Sequence, residues 1–301
     1  YGITIVALVA VLLFGENING ATRWLDIGGI SFQPSELAKY IIVFFLAMMI
    51  EKYGQVKKNW IVPLIYLGAA GVFSILVFME NNLSIAAIIM FVAFIMVFVS
   101  GMNGKETIAL MGAGGVLGAM GIFSSDYRRE RFMSFTNPWK YANDEGYQLV
   151  HSLYAIGSGG LFGVGLGNSK QKALYMPEPH NDFIFAIIAE ELGLVGCIII
   201  MAIFAVLIIA GIDVAMKAKD KYGKLLAAGI ISVIAVQVII NIAVVTGSMP
   251  VTGVPLPFIS YGGTSLVFNL AAVGVLLNIS RQTKSHKDEI QEKIIKSKMN
   301  V

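Results

Sequence analysis

PEPHNDFIFAIIAEELGLVGCIIIMAIFAVLIIAGI, residues 177–212, sets six polar or helix-breaking residues against a run of 30 almost wholly apolar ones. A membrane span needs ~20 apolar residues, and a helix of this length reaches ~45 Å. The run therefore reads as a span that tilts, breaks or projects beyond the bilayer core, with Gly193 and Gly196 as candidate break points. Asp182 sits at the seam between the two halves. Asp is a preferred helix N-cap, and an Asp before an apolar run reads first as a cap. The same place, with water on one side and the head of a buried helix on the other, also suits a general base. An N-cap position would keep the carboxylate ionised, so the two readings are compatible.

Working outward, 56% of the 301 residues are hydrophobic and 14% are charged, where a soluble domain carries about 25% charged. This predicts an all-α polytopic membrane protein with no nucleic-acid partner. Eight apolar stretches are expected to span: Tyr1–Phe14, Pro34–Ile50, Ile61–Met79, Leu83–Ser100, Thr107–Phe123, Phe183–Ile212, Leu225–Val245 and Thr264–Ser280. The first reaches only ~21 Å as a helix, so the chain is expected to begin part-way through a span. The domain reading is one transmembrane unit, 1–280, followed by a charged cytoplasmic tail, 281–301. Cys197 is the single cysteine, so no intrachain disulfide can form.

Between the spans, Gly15–Glu36 reads as a polar loop whose Pro34 opens the next helix, and 124–182 as a large outer segment carrying the site. Within the latter, Tyr147–Ile156 is amphipathic and too short to cross, which predicts an interfacial or re-entrant helix followed by a Gly-rich loop. No Gly-Lys-Ser/Thr ends that loop, so it is not a P-loop. With the C-terminus placed inside, 14 Lys and Arg fall in cytoplasmic segments and 7 outside, with Lys39 in a span. The positive-inside rule is obeyed. The outer segment nevertheless concentrates Arg128, Arg129, Arg131, Lys140, Lys170 and Lys172. A long loop escapes the rule in part. The functional alternative is a phosphate- or pyrophosphate-bearing lipid headgroup held at the outer leaflet.

Charges at or within the membrane boundary are Glu36, Lys39, Glu80, Glu190 and Glu191, and such residues are functional candidates. Glu36 and Lys39 are three apart on a helix and can pair. Around a helix axis Glu190 and Glu191 lie ~80° and ~180° from Asp182, so at least one of them is expected to be structural. His180, between prolines and beside Asp182, reads either as a solvated loop residue or as a substrate contact. The spacing of His151, His180 and His286 makes no zinc motif. Pro250–Gly263 is too rich in Pro and Gly for a helix; it reads as a plain outer loop or as the wall of a wet cavity near Asp182.

Five stretches together resemble the SEDS family of cell-wall polymerases, which contains FtsW, RodA and SpoVE: GATRWLDIGGISFQPSELAKY (20–40), YRRERFMSF (127–135), GYQLVHSLYAIGSGGLFGVGLGNSKQK (146–172), PEPHNDFIFAIIAEELG (177–193) and PVTGVPLPFISYGGTSL (250–266). The second and third are more similar to the FtsW/SpoVE branch. The resemblance implies a bundle of ten transmembrane helices, about eight of them present here, in the bacterial cytoplasmic membrane with the site facing outward. It implies a glycosyltransferase that polymerises lipid II, with undecaprenyl pyrophosphate leaving. The family's essential Asp falls on Asp182, and positions of its first outer motif fall on Arg23, Trp24, Glu36 and Lys39. Arg128, Arg129, Arg131, Lys170, Lys172, Glu178 and His180 complete the expected substrate-binding set, with a divalent cation, Mg or Mn, left open. Expected partners are a class B penicillin-binding protein and the divisome or sporulation proteins. A lipid II flippase is the rival reading, since broken helices and buried charges suit transport equally. The chain departs from the family at Glu80-Asn81-Asn82-Leu83-Ser84, where Pro-Asp and Gly-Thr are usual. Asn82 cannot supply a carboxylate there and Glu80 can, so this turn receives no assigned role.

Overall fold

The structure, a computed structural model, describes residues 1–18, 21–54 and 61–299, with the backbone path alone beyond 282. The expected basic loop at Lys57 and Lys58 and the side chains of the tail lie outside the described residues. The helices are α1 (Gly2–Phe14), α2 (Pro34–Tyr53), α3 (Ile61–Met79), α4 (Leu83–Val99), α5 (Gly104–Phe123), α6 (Asp126–Thr136), α7 (Tyr147–Gly159), α8 (Ile184–Lys217), α9 (Lys221–Val245) and α10 (Gly263–Met299). By length and composition α3, α5, α8, α9 and the first twenty residues of α10 can cross a membrane. Two further apolar helices, α1 and α4, are shorter, and α2 carries Glu36 and Lys39 in its first turns. Helix α10 continues from the last span into the charged tail as far as Met299.

Local chemistry sets the boundaries. Pro34 occupies the first turn of α2, where its missing N–H costs nothing. The Asn82 side chain accepts from the Ile85 N–H to cap α4, and Asp220 does the same for α9 through Gly223. The most enclosed helix is α9, which packs against α8, α2 and α4. Gly229 makes that approach close: a Cβ there would collide with Val43 of α2 and the Met96 sulfur of α4. At the other extreme, α5 is apolar on every side and buries none of its residues.

The segment read as a polar loop is instead a three-stranded antiparallel sheet, β1 (Glu16–Ile18), β2 (Ala21–Ile27) and β3 (Ile30–Phe32), in the order β1-β2-β3. The all-α reading is corrected to that extent. Gly28 and Gly29, with φ of 65° and 85°, form the two-residue turn between β2 and β3. Adjacent glycines suit such a turn because both central residues need positive φ. The Thr264 hydroxyl of α10 donates to the Ser31 carbonyl at 3.0 Å and holds the sheet over the bundle.

The break expected in the long span is real, and it lies at Gly193, where φ is 64° and ψ −165°. The Gly-rich loop after α7 docks there. Val164 and Gly165 N–H groups donate to the Glu190 and Glu191 carbonyls, while Leu194 and Val195 N–H groups donate to Gly160 and Leu161 carbonyls. Two interrupted backbones thereby satisfy each other, which is how irregular backbone persists at membrane depth. Bare glycines permit it, since a Cβ on Gly159 or Gly163 would strike the α8 backbone at Ala189 or Glu191.

Candidate functional site

Asp182 lies two residues before α8, and the N-cap position belongs to Phe183, without a side-chain cap bond. The capping reading is therefore corrected. Burial pushes the Asp182 carboxyl above the usual carboxylate range. Its own backbone N–H and the Arg131 guanidinium pull the other way, Glu178 pushes up and Arg23 pulls down. A base whose pKa rises toward the working pH accepts a proton more readily.

The Pro- and Gly-rich segment 250–262 lies against the loop that carries Asp182. A Cβ at Gly253, where φ is 67°, would stand 3.3 Å from Asp182 Oδ2, so this glycine keeps the space beside the carboxylate clear. The neighbouring backbone is pinned. Asn241 of α9 donates to the carbonyls of Asp182 (2.7 Å) and Val254 (2.8 Å). The Ser260 hydroxyl donates to the Asn181 carbonyl at 2.6 Å and accepts from the Leu256 N–H at 2.7 Å. The Tyr261 N–H donates to the His180 carbonyl at 2.9 Å. Ser84, at the start of α4, donates to the Thr252 carbonyl at 2.8 Å. Asn241 is not among the residues expected from sequence, although a polar Asn inside an apolar span is the available signal.

Of the expected residues, the fold brings Arg23, Arg131 and Glu178 into the electrostatic field of Asp182. His180 adjoins through the loop, its ring set edge-on to Tyr261 with centroids 5.3 Å apart. Arg131 also faces Glu145 at 3.5 Å. Arg23 reaches from β2 to the Asn81 carbonyl at 2.5 Å and acts on Glu80 as well as on Asp182. This carries the Glu80-Asn81-Asn82 turn into the same neighbourhood. Trp24, next along β2, points to the other face of the strand.

Other expected residues are engaged elsewhere. Glu36 and Lys39 pair at 2.8 Å inside the bundle, 3% and 1% exposed, as their spacing implied. Arg128 stacks over Phe78, 4.5 Å from the ring centroid, and Arg129 pairs with Asp126 at 3.1 Å on the surface. Both Glu190 and Glu191 serve the docked loop. Glu190 accepts from the Ser169 hydroxyl (2.5 Å), the Lys170 N–H (3.0 Å) and the Gln171 N–H (3.3 Å). Lys172 Nζ stands 3.7 Å from Glu191, and the Lys170 side chain is exposed.

Among the described residues no three His, Cys, Asp or Glu side chains stand together to hold a metal ion. The groups acting on Asp182 are two guanidiniums and one carboxylate. These residues do not fit a protein-held cation.

The cell cycle protein family that comprises FtsW, RodA and SpoVE matches residues 1–285. Stage V sporulation protein E of Bacillus subtilis is 44% identical over 284 residues, covering 92% of this chain and 76% of that protein. The probable peptidoglycan glycosyltransferase FtsW of Geobacter sulfurreducens is 40% identical over 279 residues, covering 92% and 74%. A chain from a peptidoglycan synthase complex described as coordinating polymerization and crosslinking superposes with a TM-score of 0.79 at 28% identity, over 94% of this chain and 80% of its own. Thermus thermophilus RodA, a rod shape determining protein, gives 0.67 at 28% identity, over 94% and 77%.

Proposed function

Because the chain belongs to the FtsW/RodA/SpoVE family of cell cycle proteins, we propose that it is a peptidoglycan glycosyltransferase that polymerises lipid II at the outer face of the bacterial cytoplasmic membrane, with Asp182 as general base. The observation that carries this reading is a carboxylate raised by burial, in the field of two guanidiniums, with a glycine that sets no side chain against it.

The step balances without a further reactant. The 4-hydroxyl oxygen of the acceptor's terminal N-acetylglucosamine attacks the anomeric carbon of the donor's N-acetylmuramic acid, and Asp182 takes the hydroxyl proton. The bond from that carbon to the pyrophosphate oxygen breaks, and undecaprenyl pyrophosphate leaves with its electron pair. Arg23 and Arg131 meet the developing charge. A planar guanidinium suits that task through its fork of donors. A positioned base contributes about 10²–10⁴-fold. Lys170 and Lys172, beside the docked loop, are assigned to longer-range attraction of the anionic headgroup. Glu36 and Lys39, closed inside the bundle, are assigned to holding α2 in register rather than to touching substrate.

In this reading eight helices of the chain span the membrane, 124–182 faces outward, and the tail is cytoplasmic. A class B penicillin-binding protein is the proposed partner, within a division or sporulation assembly; the names of the sporulation and FtsW relatives support that setting. The test is purified protein given lipid II already on the side of the membrane that carries Asp182. Glycan strands are the expected product. A flippase would leave that lipid II unpolymerised, and such a result overturns the proposal.

A further inference from the structure

Helices α4, α8 and α9 leave a groove of about 350 Å³ between them, walled by Val99 of α4, Ile212 and Met216 of α8, and Ala228 and Ile231 of α9. It lies at the end of these helices away from Asp182. Asp182 precedes the head of α8, whereas Ile212 and Met216 stand in its last two turns. Helix α9 runs from the groove back to Asn241, which holds the Asp182 carbonyl. The groove has a floor where the helices close up: a Cβ on Gly211 would meet Ile231 Cδ1 at 2.6 Å. Ser232, also on the wall, already donates its hydroxyl to the Ala228 carbonyl at 2.7 Å. Lys224, exposed in the first turn of α9, stands at the mouth. The connection 213–224 carries four lysines against two aspartates. Lys217 pairs with Asp213 at 2.5 Å, Lys221 donates to the Ile50 carbonyl at 3.2 Å, and Asp220 accepts from the Gly223 N–H. Among the described residues no such partner engages the Lys224 ammonium.

We propose that this groove is a binding site for an anionic glycerophospholipid, with one acyl chain in the apolar slot and the phosphate at Lys224. The dimensions select the occupant. Lys224 to Ser232 is ~12 Å of helix. Spread over that length, the volume leaves a bore about 6 Å wide. A helix is ~10–12 Å across with its side chains and does not enter; a single extended hydrocarbon chain does. The charge selects the headgroup. A lysine stem lies along apolar surface while its ammonium stays in the polar layer, and basic pockets between spans hold anionic headgroups. A chain seated here fills space that protein atoms leave empty, so it braces the ends of α4, α8 and α9 against one another. The site is independent of Asp182 and of the reaction proposed there.

The test is native mass spectrometry of the detergent-purified protein titrated with phosphatidylglycerol or with zwitterionic phosphatidylcholine. Wild type is expected to retain the anionic lipid about fivefold more tightly, the scale set by one lysine at a membrane surface. Lys224→Gln should lose that preference. Lys219→Gln, in the same connection but off the groove wall, should keep it. No preference in wild type overturns the inference, and so does an equal loss in both variants, which would mean diffuse surface charge. Ala228→Phe plugs the slot. It should abolish tight retention, and added phosphatidylglycerol should no longer raise its melting temperature as it raises that of wild type. Undiminished retention by Ala228→Phe places the lipid elsewhere and overturns the inference. Should that variant not fold, the comparison of the two exposed lysines decides.

Discussion

Gly253→Ala tests the proposed base without touching it. The residue has φ 67°, and the added methyl would stand 3.3 Å from Asp182 Oδ2. A non-glycine residue at positive φ costs about 1–2 kcal/mol. The methyl also crowds the carboxylate, which must yield by a few tenths of an ångström. Misplacing a catalytic group by ~1 Å can cost ~10²-fold, so a smaller shift is expected to lower kcat about tenfold. Gly247→Ala separates this effect from backbone strain. Gly247 has φ 68°, but its added methyl would meet Leu153 Cδ2 at 3.4 Å, away from Asp182. Both variants are expected to lose comparable thermal stability, and only Gly253→Ala to lose turnover in a lipid II polymerisation assay. Equal turnover in the two variants would refute the argument that Gly253 keeps the base in place.

Asp182→Asn is expected to abolish polymerisation while leaving the fold intact. Because the folded-state pKa of Asp182 is raised, folding favours its protonated form. That preference stabilises the protein at low pH and is lost as pH rises from the ordinary carboxylate value through the folded one. Melting curves should therefore show Asp182→Asn at least as stable as wild type at neutral pH, with the gap closing on acidification. Glu190→Ala removes the acceptor for three donors at 169–171. It should cost roughly 3 kcal/mol, at ~1 kcal/mol per stranded donor, with faster hydrogen exchange confined to that loop. Gly193→Ala would press a methyl onto the Leu161 carbonyl carbon at 2.6 Å, against backbone that cannot step aside. It should sharply reduce the yield of folded protein, whereas wild-type yield would show that the loop can undock.

The periodicity-free apolar runs made the spans legible, because bilayer thickness imposes one length on all of them. The break in α8 was also legible, since glycine alone tolerates φ 64° there. The Glu36–Lys39 pair followed from helical spacing. The sheet at 16–32 was missed because its strands are short and polar, although the Gly28-Gly29 pair was a hairpin signal. At the site, the distance along the chain was the obstacle. Arg23 and Asp182 are far apart in sequence, and nothing local indicates that one reaches the other. The cap assignment failed for a related reason: a preference averaged over soluble helices does not register a loop folded over the helix head.

One helix has a consequence beyond its own span. Since α5 buries no residue and touches the bundle mainly through α4 and α6, the interior would scarcely register its departure. It is held in place by its surroundings more than by its neighbours. Exchanges among its apolar side chains should therefore leave the packing of the interior as it is.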